Sequence, residues 1–231
     1  MALARLRVTL PLLLSLNAGF VDTAGFLALQ GLFTAHVTGN FVTLGASLVL
    51  GTSGAVAKLS ALPVFCLFVV LTRLASRGLF GRGLPALRIL LVVKLLLLTL
   101  GAGLAVHYGP FTNGDAWPAL ATGMVLVSAM AIQNAVHRIH LTSAPPTTLM
   151  TGTTTQIMID IADLAAGLPA DKKPAVKGRL RRASVSVGAF ALGCAAAALA
   201  YAAVNVWCFV MPPLLAIVAL VVRITEYEKP A

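Results

Sequence analysis

The pattern of apolar and polar positions divides this chain into eight apolar stretches: 9–32, 40–51, 56–76, 89–107, 118–137, 151–167, 183–203 and 208–223. A helix that crosses hydrocarbon needs about 20 mostly apolar residues. Two stretches make poor lipid-facing spans. The second is only about a dozen residues long and follows Thr38-Gly39-Asn40. The sixth, TGTTTQIMIDIADLAAG, carries Gln156, Asp160, Asp163 and four threonines. The pattern therefore predicts an all-α polytopic membrane protein with six spanning helices and two re-entrant half-helices.

Composition supports that class. The chain is 59% hydrophobic and 10% charged, with a mean hydropathy of +0.95. A soluble domain is about a quarter charged, so this one could not coat itself with polar side chains. The net charge of +10 would suggest nucleic acid in a soluble protein. Here the basic residues sit between apolar runs, so they read as topology signals and contacts to anionic lipid, with no nucleic-acid partner. Cys66, Cys194 and Cys208 lie in apolar segments, form no CxxC and read as small core hydrophobes. The start, with Arg5 and Arg7 before an apolar run, resembles a secretory signal. Because the run continues to Leu32 and more spans follow, it is expected to be an uncleaved first helix.

Charge placement chooses a topology. If all eight stretches cross, Arg73, Arg77, Arg82, Arg88 and Arg138 lie outside against eleven basic residues inside. If stretches two and six dip in and return, fifteen basic residues lie inside and only Lys58 outside, with Lys94 within a span. The positive-inside rule favours the second arrangement, with both termini cytoplasmic.

That arrangement makes each half read span, re-entrant segment, span, span. Residues 1–112 would form one membrane repeat and 113–231 an inverted one, a common transporter architecture. The shared marker is Thr38-Gly39 in HVTGN and Thr151-Gly152 in LMTGT, 151 − 38 = 113 positions apart. Backbone within a bilayer must be received by protein or by a watery cavity. Gly39 and Gly152 would let the chain turn there, with Thr38 or Asn40, and Thr151 or Thr153, as helix caps. The starts of both half-helices would meet near the midplane and present bare amides to an anionic or polar solute.

Intramembrane polar residues are costly unless paired or wet. Asn17 and Asp22 in the first stretch, Asn134 in the fifth and Asp160 in the sixth are candidate site residues. His36 and Lys94 are candidate partners for Asp22. The competing reading makes Asp22 a buried structural link. There is no GxSxG, P-loop, HExxH or GxGxxG, and His137 and His140 lack further ligands at metal spacing. No enzyme activity, cofactor or metal is expected. GAFALGCAAAALA (188–200) reads as close helix packing.

GFVDTAGFLALQGLFTAHVTGNFVTLG resembles the N-terminal signature of the YoaK family of bacterial inner-membrane proteins. Gly19-Phe20-Val21-Asp22, Gly25-Phe26, Gly31-Leu32-Phe33, His36 and Thr38-Gly39-Asn40 carry the resemblance. It implies a compact multi-span protein of the cytoplasmic membrane and supplies no substrate. The functional expectation is a small-solute transporter or channel. Its site would use Asn17, Asp22, His36, Thr38, Gly39, Asn40, Asn134, Thr151, Gly152, Thr153 and Asp160. The alternative is a non-transporting sensor or assembly factor. Expected partners are the bilayer and a small polar or anionic solute, with a homo-oligomer left open.

Overall fold

A computed structural model of the chain describes residues 9–148 and 150–227. Arg5, Arg7 and Lys229, which entered the charge comparison, lie outside them. Every regular element among the described residues is helical. In chain order they are α1 (Leu10–Ala28), α2 (Asn40–Leu50), α3 (Ala55–Gly81), α4 (Ala86–Tyr108), α5 (Trp117–His140), α6 (Met150–Ala165), α7 (Lys173–Val204) and α8 (Met211–Tyr227). Short 3-10 turns cover Val37–Gly39 and Asn205–Val210.

Each apolar stretch corresponds to one helix, with two corrections. α1 ends at Ala28 rather than continuing to Leu32, because Gln30 (φ 56°) and Gly31 (φ 82°) turn the chain left-handed. The seventh helix begins ten residues before its apolar stretch, because the basic run 173–182 already forms the opening of α7. Pro174 suits a first helical turn, and the lysines, arginines and alanines that follow are good helix formers.

Five helical segments are long and apolar enough to cross a membrane by length and composition. They are Leu10–Ala28, Ala55–Gly81, Ala86–Tyr108, Trp117–His140 and Lys173–Arg223, the last containing both α7 and most of α8. The chain thus has the build of a multi-pass membrane protein.

Side-chain contacts give the helix directions. Ser15 and Ser186 hydroxyls lie 2.8 Å apart, and Gly19 lies against Phe190, so α1 and α7 run parallel. α8 returns antiparallel to α1: the Asn17 amide donates to the Pro212 carbonyl, while Leu10, Leu13 and Leu14 pack with Ala219. Lys94 meets Gln133 and Gly101 meets Leu126, so α4 and α5 are antiparallel. Ser76 meets His140 at 2.9 Å where α3 and α5 end together. α2 packs along α3 and α6 along α7.

The central core lies between α1, α4, α5 and the end of α7, where Val21, Ala24, Leu98, Val127, Met130 and Phe209 are buried. Two glycines set its closest approach. A Cβ on Gly19 would stand 2.1 Å from the Phe190 carbonyl oxygen, and one on Gly193 would stand 2.1 Å from the Leu16 oxygen. α1 and α7 therefore touch backbone to backbone, as small residues allow between membrane helices.

Three loops are knitted together at the end where α1 finishes. Gln30 donates to the Phe111 carbonyl (2.9 Å), and the Gly114 amide donates to the Ser53 hydroxyl (3.0 Å). Asp115 accepts from the amides of Gly54, Val56 and Ala57 at the start of α3. Lys58, the one cation placed outside by the charge comparison, lies in the first turn of α3. It is buried and donates to Ser47 of α2 (2.6 Å). The chain from Gln30 to Gly54 thus leaves this end of the bundle, reaches back beside Asp22, and rejoins the same end.

Candidate functional site

The site is organised by one carboxylate. Asp22 sits near the end of α1 and is 4% exposed. Beyond α1 the left-handed turn at Gln30 and Gly31 sends the chain back along the helix it has just left. Leu32 anchors this return, fully buried against Gly123 of α5. The following residues then wrap around Asp22. Its Oδ1 accepts from the amides of Thr34 (2.8 Å) and Ala35 (2.7 Å), with longer contacts from the His36 amide and the Thr34 hydroxyl. Its Oδ2 lies 2.7 Å from Nδ1 of His36. The carboxylate thereby receives loop amides that would otherwise be buried without partners.

Asn40 completes the loop in the manner of a second peptide group. Its Oδ1 accepts from the Phe33 amide (2.9 Å), and its Nδ2 donates to the Phe33 carbonyl (2.8 Å). It therefore does not cap α2, whose preceding residue is Gly39, with no side-chain cap. The 3-10 turn Val37–Gly39 runs directly into α2. Its carbonyls receive the Asn40 amide, and the Gly39 amide donates to His36. The amides of Gly39 and Asn40 are thus taken up by carbonyls of the turn itself and are not left bare for an anion. Nor does Gly39 need an unusual conformation: its φ is −62°. A Cβ there would meet the Phe33 ring at 3.0 Å, so glycine makes room for that ring.

These residues line an open cavity of about 500 Å³. Asp22, Thr23, His36, Thr38 and Gly39 form one part of its wall, and Phe26, Phe33, Phe190 and Cys194 the rest. The aromatic groups are mutually packed: Phe26 and Phe33 centroids lie 4.9 Å apart, and the His36 ring meets Phe190 edge-on at 5.4 Å. α7 contributes Phe190 and Cys194 because Gly19 and Gly193 let it approach α1 so closely.

Asp22, His36, Thr38 and Gly39 are therefore brought together, with Asn40 behind them. The other expected site residues lie elsewhere. Asn17 faces α8 through Pro212. Asn134 accepts from the Thr148 hydroxyl (2.6 Å) and borders a separate cavity between α3 and α5. Thr151 and Gly152 are exposed within the first turn of α6, where nothing lies near a Cβ added to Gly152, whereas Thr153 is buried. Asp160, fully buried, is held by both Nε and a terminal nitrogen of Arg179 and by Gln156 (2.8 Å). Among the described residues α2 packs chiefly on α3 and α6 on α7, rather than on each other.

Two polar partnerships have no signal in the sequence. Lys94, 1% exposed, donates to the side-chain oxygen of Gln133 rather than to Asp22. Gln133 in turn donates to the Leu14 carbonyl (2.9 Å) and the Thr147 hydroxyl (3.2 Å). Asp115, in the loop before α5, caps α3, far away in sequence. Neither partnership has a local signal, since each joins residues tens of positions apart.

Residues 10–222 match the family described as "Protein of unknown function (DUF1275)". The chain belongs to that family, in agreement with its resemblance to the uncharacterised YoaK proteins. No curated protein and no solved structure matches it.

Proposed function

We propose that this protein is a small-solute transporter or channel of the bacterial cytoplasmic membrane. In this reading α1, α3, α4, α5, α7 and α8 cross, α2 and α6 are re-entrant, and both termini are cytoplasmic. The observation that carries it is the 500 Å³ cavity beside Asp22 and His36, at the point where the chain turns back along α1. Broken helices whose irregular backbone lines a cavity mark the binding sites of many transporters.

The packing supports an inverted repeat. Exchanging α1 with α5, α2 with α6, α3 with α7 and α4 with α8 preserves the neighbours: α1 on α7 becomes α5 on α3, and α4 on α5 becomes α8 on α1. α1 and α5 run in opposite directions. In each half a threonine from the returning loop bonds to a polar side chain of the first helix, Thr34 to Asp22 and Thr148 to Asn134. Exposed Trp117, stacked edge-on with Tyr108, suits an interface at the end where α1 finishes.

The cavity favours a small polar solute with an apolar body. Its polar end would meet His36 and Thr38, and its body the phenylalanines. Asp22 is already engaged by amides and His36, which speaks against a role as a lone charge for a cation. That same saturation is what the alternative draws on, a sensor or assembly factor in which Asp22 only ties the loop. Purified protein in vesicles, incubated with a mixture of polar metabolites, distinguishes them by mass spectrometry of the lumen. The wild type is expected to admit at least one compound that protein-free vesicles exclude. Cys194→Phe, which fills the cavity, is expected to block it. A wild-type lumen identical to that of empty vesicles would rule out transport of the tested solutes.

A further inference from the structure

We propose that the groove between α3 and α5 is a binding site for one anionic phospholipid, its phosphate held by Arg73 and Arg138. The groove encloses about 350 Å³. Phe65, Val69, Ala135 and Ile139 give it apolar walls, and the two arginines stand at its rim with Asn134. An apolar groove capped by two cations is complementary to an acyl chain with an anionic head.

The depth fits. Arg73 lies 18 residues beyond Ala55 and Arg138 lies 21 beyond Trp117. At 1.5 Å per residue those are about 27 and 32 Å from the outer ends of their helices, close to the roughly 30 Å thickness of hydrocarbon. Both guanidinium groups therefore fall at one headgroup level. Arg77 and Arg82 continue beyond Arg73 on the chain.

Among the described residues no carboxylate competes for these charges. Among the described residues neither Arg73 nor Arg138 forms a salt bridge, and no Asp or Glu lines the groove. Arginine binds phosphate bidentately, and an apolar wall beside it strengthens the pairing. Asn134 cannot substitute for an anion, because its Nδ2 donates to Met130 and its Oδ1 accepts from Thr148.

The test uses full-length protein in detergent, titrated with short-chain phosphatidylglycerol or phosphatidylcholine and read by native mass spectrometry. Wild type is expected to retain phosphatidylglycerol at least about tenfold more tightly than phosphatidylcholine, as a doubly charge-assisted contact allows. Arg73→Gln/Arg138→Gln should abolish the preference, and Arg73→Lys/Arg138→Lys should keep part of it. Val69→Trp, which fills the groove without altering charge, should weaken retention of phosphatidylglycerol even if the glutamine variant fails to fold. Equal retention of both lipids by wild type would overturn the proposal, as would undiminished phosphatidylglycerol binding by Val69→Trp. Release of the lipid by inorganic phosphate at equal concentration would assign the site to a soluble anion instead.

Discussion

His36 places its Nδ1 2.7 Å from Oδ2 of Asp22, while Oδ1 of the same carboxylate holds the amides of Thr34 and Ala35. One side chain on α1 thus fixes both the backbone and the imidazole of the returning loop. Asp22→Ala should leave two buried amides without acceptors, at about 1–3 kcal/mol each. Asp22→Asn retains one carbonyl oxygen and should lose less. His36→Gln leaves the amide bonds in place and should cost no more than about 1.5 kcal/mol. Thermal unfolding in detergent ranks the three. Equal stability of the alanine and asparagine variants would contradict the assigned role of Oδ1.

Lys94 and Gln133 should behave as a coupled pair. Gln133→Leu removes the acceptor of a buried amine and leaves the Leu14 carbonyl without its side-chain donor, which should cost about 3 kcal/mol or more in all. Lys94→Met removes the amine but leaves only an amide oxygen unmatched, about 1–3 kcal/mol. The double variant Lys94→Met/Gln133→Leu should therefore be more stable than Gln133→Leu alone. A double-mutant cycle on unfolding free energy measures this, and strict additivity would show that the two side chains do not interact.

Gly193 and Gly188, five residues apart on α7, should respond oppositely to alanine. At Gly193 even a methyl group collides with the Leu16 carbonyl of α1. Separation of the helices should cost about 1–3 kcal/mol or more. At Gly188 nothing lies within 4 Å of an added Cβ. There, alanine should gain about 0.5–1 kcal/mol from helix propensity. Melting temperatures of the two variants that move in the same direction would contradict the close α1–α7 approach.

Asp115 should make stability depend on acid. Its partial burial by itself would raise the carboxyl's pKa, but the amides of Gly54, Ala57, Val56 and Ala55 outweigh it and hold the pKa below the ordinary carboxylate value. A depressed folded value means that the stabilisation is complete above the unfolded pKa of about 3.9 and is lost as pH falls through the folded value. Wild type should lose its advantage over Asp115→Asn as pH drops below about 4. Near neutral pH, Asp115→Ala should cost about 1 kcal/mol, as for loss of a helix cap. A constant gap between wild type and Asp115→Asn from neutral to strongly acidic pH would contradict the capping role.

Block hydrophobicity alone determined that this chain is helical, membrane-suited and divided into eight segments, because burying backbone in hydrocarbon leaves few alternatives to helices. It also marked the unusual second and sixth segments, since their polar residues and the shortness of the second make them poor spans. Asp22, His36, Thr38 and Gly39 were legible as a cluster because they are close in sequence and the loop folds on its own helix. Tertiary structure decided the rest. It placed Phe190 and Cys194 in that cavity, gave Asp160 to Arg179, matched Lys94 with Gln133, and sent Asp115 to α3. Those choices depend on which helices touch and at what register. Close approach through Gly19 and Gly193 sets one such register, and an apolar pattern that is hydrophobic on nearly every face carries little information about which face turns inward.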